Sequence, residues 1–429
     1  MIKANDPLIK TWLQVKEGSD FPIQNIPFGI FKPFNRINPR AGTRIGDHVI
    51  DLAAIAEKGY FKDIGIGTNE VFNKPFLNDF IALGKPVWQA VRDKISDIFN
   101  HVNEEIWRTE DFTDGIFYDI SEVEMLMPVR PGDITGFYSG FYHAMNIGKL
   151  FGNPKDPLPA NWRYMPSGYH GKASSVVVSG TPVRRPLGQI QLYEDETPDF
   201  GPSHQLDFEL EMAFVSGGKT LPGERIQIGN TDDFIFGLVL FNDLSARDIQ
   251  QWEQYPLGPF LSKSFGSVIS PWVVTLDALE PFRSEGPEQE PEVFPYLSYP
   301  RSGNFDIRLE VFIAPEGEEP HRVCRSNAKF MYWNIFQQLA HQTVNGCNIN
   351  VGDLFATGTI SGPTHGSLGS MLELTWRGRK PIVFPNGDHR KFLNNNDTVI
   401  IRGYAENDKV RIGFGEAVTK ILPAIEPEF

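Results

Sequence analysis

Cysteine is scarce in this chain: Cys324 and Cys347 are the only 2 among 429 residues. Two cysteines without metal-ligand spacing exclude a disulfide framework and a zinc ribbon, and they fit a reducing compartment. Long apolar runs are missing as well. The opening MIKANDPLIKTWLQVKEGSDFPIQNIPFGI holds no stretch suited to a signal peptide, and no later run approaches the ~20 apolar residues of a membrane span. The expectation is a cytoplasmic protein with no membrane partner. Basic charge is also short, since 40 Lys and Arg face 54 Asp and Glu, for a formal net charge of −14. With no basic stripe to follow a phosphate backbone, a nucleic-acid partner is excluded. Familiar motifs are absent too: no HExxH, paired CxxC, EF-hand loop, GxxxxGK[ST], helix-opening GxGxxG or GxSxG. Zinc hydrolase, P-loop, Rossmann and serine-hydrolase readings therefore lose their usual support.

Turn formers are plentiful, with 40 Gly and 33 Pro. Such a composition suits many turns between short strands and points to a mainly β fold. The length exceeds one typical core, which favours two domains. Residues 29 to 52 read as short strands with Gly46-Asp47 as a hairpin tip. In KPVWQAVRDKISDIF, Pro86 stands near a helix start, and Val87, Trp88, Val91, Ile95, Ile98 and Phe99 form one apolar stripe. Two prolines and a glycine in EVEMLMPVRPGDIT mark a boundary, placed so that residues 1–122 form a small N-terminal domain and 123–429 a larger one.

The larger part carries strand patterns at ASSVVVSG, DFELEMAFVSG, FIFGLVLFND, SPWVVTL, FDIRLEVFIA, MLELTW and DTVIIRGYA, at the spacing of a sandwich, roll or barrel. Two helices interrupt them. Ser245 is expected to cap ARDIQQWEQ with Asp248 three residues on, and Ser326 to cap NAKFMYWNIFQQLAHQTV, which closes at Asn345-Gly346. The Pro/Glu-rich stretch 280 to 303 reads as an exposed excursion.

One segment raises a chemical question. In LDFELEMAF, strand alternation puts Asp207, Glu209 and Glu211 on one side and Phe208, Leu210 and Met212 on the other. Three carboxylates in a row repel unless water or a cation separates them. The face is either solvated or a cation site. FIFGLVLF is apolar throughout, as in a strand buried on both faces, and Asn242-Asp243 stands at its end, where an acid needs a partner. Oxygen-only ligands from short acids suit Mg²⁺ or Ca²⁺ rather than zinc. Downstream, Arg247 and Gln250 share a helical face and Lys263 lies in a Gly/Ser/Pro-rich loop; these donors suit a developing oxyanion or enolate.

The segments GYHGKASSVVVSGTPVRRPLGQ, LDFELEMAF, FNDLSARDIQQWEQYPLGPFLSKSFGSVISPWVV, MYWNIFQQLAHQTVNGCNINVGDLFATGTISG and GSMLELTW closely resemble the fumarylacetoacetase family, over about residues 29 to 425. The resemblance implies a small SH3-like N-terminal barrel, a C-terminal β-roll holding the site, a homodimer and a Ca²⁺ or Mg²⁺ ion bound by acids. It further implies hydrolysis of a carbon–carbon bond in a 1,3-dicarbonyl acid, 4-fumarylacetoacetate to fumarate and acetoacetate, in tyrosine and phenylalanine catabolism. Carried over, the metal ligands fall on Glu209, Glu211 and Asp243, the catalytic base on His143 and its orienting acid on Glu373. Arg247, Gln250 and Lys263 match leaving-group stabilisers, while Tyr138, Tyr169 and Thr359 match substrate contacts. Asp207 is left to support the ligands.

Departures from the family pattern stand beside these matches. Gly136 replaces an aspartate that is a fourth metal ligand in the family, and Asp133, three residues away, is the acid nearest in sequence. Gly152 replaces an arginine that meets a substrate carboxylate, Gln254 a substrate-contacting tyrosine, Leu244 a tryptophan and Ser267 a threonine. They motivate an alternative in which the family fold serves a changed substrate or reaction: a decarboxylase, a tautomerase or a bond-forming enzyme of secondary metabolism. A third reading is a binding protein without activity.

Overall fold

Turns set the pattern of the N-terminal region. The computed structural model describes residues 2–66, 70–103, 106, 115–191 and 197–425. Ile45 pairs with His48 across Gly46-Asp47, with Gly46 at φ 60°, so the expected hairpin tip forms with glycine at the position that requires a positive φ. Five strands follow the spatial order Phe117–Asp119, His48–Asp51, Arg40–Ile45, Phe28–Pro33 and Val123–Leu126. The helix Lys85–Phe99 forms over the predicted span and buries Trp88, Val91, Ile95, Ile98 and Phe99.

Because Val123–Leu126 hydrogen-bonds to Phe28–Pro33 in this N-terminal sheet, we propose that the domain division lies after Leu126, a few residues beyond 122.

A larger sheet runs in the order Gly168–His170, Ile134–Phe137, Leu354–Ala356, Leu210–Ser216, Ile235–Asp243, Ser267–Ile269 and Val176–Val178. Its central strand Ile235–Asp243 is buried at every residue. Two neighbours cause this. On one face Phe236 meets the rings of Phe28, Phe80 and Trp88 at 5.8, 6.1 and 5.0 Å, so the N-terminal domain covers that side. On the other, Leu238 and Leu240 join a core with Leu309, Val311 and Ile401 from a five-stranded sheet that includes Ile307–Ala314, Thr398–Glu406 and Arg411–Leu422. A strand between two layers has no solvent face, which is why its pattern is continuous rather than alternating. The molecule is mainly β, with a small N-terminal domain and a larger C-terminal one, as expected.

Three local expectations are corrected. MLELTW is not a strand: Met371–Leu374 is a helical turn. The Asp207 carboxylate accepts the backbone N–H of Met371 at 2.7 Å and of Leu372 at 3.0 Å, while Ser370 Oγ accepts from Glu373 N at 3.3 Å. Those oxygens satisfy donors that a helix start leaves open, and this outweighs the local strand pattern. Ser245 does not cap the helix Arg247–Glu253; its Oγ donates to the Asp243 carbonyl at 2.9 Å, and Asp248 instead accepts from Ser203 Oγ and His204 N, each at 2.6 Å. Ser326 lies within the strand His321–Asn327. The helix Ile335–Thr343 begins later because Asn334 and Gln337 form a reciprocal capping box there.

Candidate active site

Leu210 pairs with Asn242, and Asp243 N donates to the Glu209 carbonyl at 3.3 Å, so Glu209, Glu211 and Asp243 gather at one end of the two paired central strands. The acidic face is not solvated: Asp207, Glu209 and Glu211 are 0%, 5% and 2% exposed. Nor is it one strand face. Leu206–Asp207 pairs with Ser245–Ala246, apart from Leu210–Ser216, and this separates Asp207 from the other two acids. Asp207 turns to Arg247, whose Nε donates to its Oδ2 at 2.9 Å, and supports the site from behind.

Oxygens of Glu209, Glu211 and Asp243 all lie within 4.8 Å of one another. Burial and the charges of Glu209 and Asp243 push the Glu211 carboxyl well above its ordinary value. Its Oε2 accepts the Gly358 N–H at 2.9 Å. Burial would raise Glu209 too, but Lys263, Arg247 and His143 hold it well below the usual range. Lys263 Nζ contacts Glu209 and stands 3.1 Å from Asp243 Oδ2, while Arg247 Nη2 lies 2.8 Å from Glu209 Oε1. Hard, buried, mutually repelling oxygens that already draw an ammonium between them fit a divalent ion of the oxygen-binding class.

Gly136 sits opposite Tyr169 across adjacent strands. A Cβ at Gly136 would stand 2.7 Å from Tyr169 Cε1 and 2.8 Å from Cζ. Tyr169 therefore fills the space a larger residue at 136 would need, and its hydroxyl donates to Asp243 Oδ2 at 2.7 Å. Ser267 Oγ donates to Asp243 Oδ1 at 3.0 Å. Asp133 is exposed and takes no part in this cluster.

His143 lies in the first turn of the helix Phe141–Phe151 and its Nδ1 is 2.7 Å from Glu373 Oε2. Glu373 also accepts from Asn146 Nδ2 at 2.8 Å, Ser370 Oγ at 2.8 Å and Ser361 Oγ at 2.9 Å. Burial alone would push the Glu373 carboxyl up, but the His143 imidazole and the bonds from His143, Asn146 and Ser370 hold it below its ordinary value. An acceptor at Nδ1 fixes the tautomer that leaves Nε2 as the basic nitrogen.

A cleft of about 490 Å³ is lined by Tyr138, His143, Tyr169, Glu209, Glu211, Asp243, Arg247, Gln250, Lys263 and Thr359, with Glu373 behind His143. Ten of the residues singled out from the sequence thus line one cleft, with Glu373 held against His143, whereas Asp133 and Asp207 stand outside the lining. Arg247 Nη1 donates to Gln250 Oε1 at 3.2 Å. Of the departures, Gln254 lines the cleft, whereas Gly152 follows the end of the Phe141–Phe151 helix and Leu244 is fully buried. Sequence reasoning missed Asn146, Ser361 and Ser370. Asn146 and Ser370 were within reach, since Asn146 is three residues from His143 on one helical face and Ser370 stands three before Glu373 in an S-x-x-E pattern; Ser361 comes from a separate segment and carried no signal.

The family described as fumarylacetoacetate (FAA) hydrolase C-terminal matches residues 138–421, and fumarylacetoacetase N-terminal matches residues 24–128. A fumarylacetoacetase of Dictyostelium discoideum is 48% identical over 422 residues, covering 97% of this chain and 99% of the relative. The human fumarylacetoacetase is 46% identical over 419 residues, covering 97% of this chain and 100% of the relative. Among solved structures, a fumarylacetoacetate hydrolase from Exiguobacterium antarcticum aligns at TM-score 0.51 and 16% identity over 93% of this chain and 99% of its own. A putative HpcE protein from Mycobacterium smegmatis aligns at TM-score 0.53 and 19% identity over 92% and 99%. These last two establish likeness of fold alone.

Proposed function

The chain belongs to the fumarylacetoacetase family, and from that premise we propose how its cleft cleaves 4-fumarylacetoacetate to fumarate and acetoacetate. It is a hydrolase acting on a carbon–carbon bond. The observation that carries the reading is the convergence of an oriented imidazole, three buried acids and two cations on one cleft.

Breaking a carbon–carbon bond by water requires a base to make the nucleophile and a site that tolerates the carbanion as an enolate. His143 serves as the base: Glu373 holds Nδ1, and Nε2 takes a proton from water as the hydroxide attacks the acyl carbonyl. Glu373 then faces an imidazolium, whose charge it stabilises across 2.7 Å. Arg247, Gln250 and Lys263 line the cleft, and the positive charges of Arg247 and Lys263 and the Gln250 amide stabilise the oxygen of the departing enolate. Proton return from His143 completes the acetoacetate. Tyr138, Tyr169 and Thr359 line the same cleft and contact the substrate body. Glu209, Glu211 and Asp243 would hold Mg²⁺ or Ca²⁺, which when bound supplies Lewis acidity to the dicarbonyl oxygens. Asp207 keeps Arg247 in place.

The biological setting is part of the same proposal: a homodimeric cytosolic enzyme of tyrosine and phenylalanine catabolism, supported by the family resemblance and by the free thiols Cys324 and Cys347. No described helix is long and apolar enough to cross a membrane. The test is incubation of the Mg²⁺- or Ca²⁺-supplemented protein with fumarylacetoacetate and identification of the products by mass. Equal release of fumarate and acetoacetate is expected, and His143→Ala should abolish it while leaving metal affinity unchanged. Consumption of substrate without fumarate would instead favour a repurposed reaction.

A further inference from the structure

The cations that line the cleft are already engaged. Arg247 pairs with Asp207 and Glu209, and Lys263 with Glu209 and Asp243. Fumarylacetoacetate, however, carries a carboxylate at each end of its chain. An anion entering a cleft built around buried acids needs a cation that those acids have not taken.

Arg377 meets that requirement. Three residues that line the cleft from separate segments, Phe151, Gln251 and Leu372, all touch it. The guanidinium carbon stands 4.7 Å from the centre of the Phe151 ring, and Nη2 donates to Gln251 Oε1 at 2.8 Å. The backbone N–H of Arg377 donates to the Leu372 carbonyl at 2.8 Å. Trp376 and Arg377 adopt φ 50° and 58°, turning the chain back directly after the helical turn that carries Glu373. Among the described residues no carboxylate lies within ion-pair range of Arg377, and Gln251 is the one side chain its guanidinium hydrogen-bonds. Four of its five N–H donors are open to a ligand.

We propose that Arg377 anchors a terminal carboxylate of the substrate, with Phe151 and Gln251 holding the guanidinium at the edge of the cleft. The inference rests on the functional reading above and extends it by assigning a specificity residue. A planar guanidinium with a free edge binds a carboxylate in two parallel hydrogen bonds, and lysine cannot reproduce this geometry.

Steady-state kinetics of Arg377→Met and Arg377→Lys test it, using fumarylacetoacetate and two analogues in which one or the other terminal carboxylate is replaced by a methyl group. For Arg377→Met on the dianion, KM should rise about 10- to 100-fold with kcat within about threefold, the loss expected for a charge-assisted contact made equally in ground and transition states. Arg377→Lys should recover part of that loss. On one of the two analogues, wild type and Arg377→Met should have the same KM, which identifies the anchored end. An unchanged KM on the dianion, or an equal loss on all three substrates, overturns the assignment. A wild type that releases no fumarate would instead overturn the functional reading, and this inference with it.

Discussion

Glu373→Gln isolates the charge of the group that orients the base. The side chain is fully buried and accepts from His143, Asn146, Ser361 and Ser370. Glutamine keeps its size but loses the negative charge and exchanges one acceptor oxygen for an N–H donor. If the amide nitrogen faces Asn146, that amide can rotate to accept, and the principal loss is electrostatic. Two unit charges ~4 Å apart at an effective dielectric of ~20 interact by about 4 kcal/mol, which is the support the developing imidazolium would forfeit. At about 1.4 kcal/mol per decade this lowers kcat by roughly 10³. If the nitrogen faces His143 instead, the imidazole adopts the opposite tautomer and presents N–H to the water, so the loss grows to about 10⁴. KM and metal affinity should hold, because Glu373 touches neither the acidic cluster nor the cleft surface. The assay is fumarate release under saturating substrate and Mg²⁺, with thermal unfolding and metal titration by calorimetry as controls. A well-folded variant that loses less than tenfold would refute the pairing of His143 and Glu373 as base and orienting acid.

Lys263→Met removes an ammonium buried between Glu209 and Asp243. The metal-free protein should lose about 3–5 kcal/mol, the cost of leaving one side of a buried ion pair uncompensated, and saturating Mg²⁺ should restore most of it; denaturant titration with and without the ion reads both effects, and an unaltered metal-free midpoint contradicts the prediction. Gly136→Ala should destabilise by about 1–3 kcal/mol despite the entropic gain of replacing glycine, because the added methyl meets the Tyr169 ring. Urea unfolding checks this, and Tyr169→Ala in the same chain should relieve it. Glu211 has a raised folded-state pKa, so its contribution to metal-free stability is full below the unfolded value of about 4.3 and falls away as pH rises through the folded value. Metal binding must expel that proton, so affinity should rise with pH and calorimetry in buffers of different ionisation enthalpy should show proton release; equal heats in all buffers would count against it.

A residue's role is legible in the sequence when its partners lie in its own segment, and not when they come from elsewhere in the chain. Legible in the sequence were features whose cause lies within one segment: the apolar stripe of Lys85–Phe99, the Gly46-Asp47 turn, the doubly buried strand Ile235–Asp243 and the acids beside it. The motif resemblance also singled out His143, Glu373, Arg247 and Lys263, although it could not show which partners each one meets. Local propensity failed at Met371–Leu374, where the strand pattern of MLELTW yields to the distant Asp207 carboxylate that accepts its first free N–H groups. It failed again along LDFELEMAF, where three acids with the same periodicity divide, Asp207 going to Arg247 and Glu209 and Glu211 to Asp243. Tertiary structure alone decided that Tyr169 fills the space beside Gly136 and that Arg377 packs on Phe151 and Gln251 of the cleft wall, because both depend on contacts between segments tens to hundreds of residues apart. Periodicity records which side of an element is buried, and only the packed chain determines which charge it is buried against.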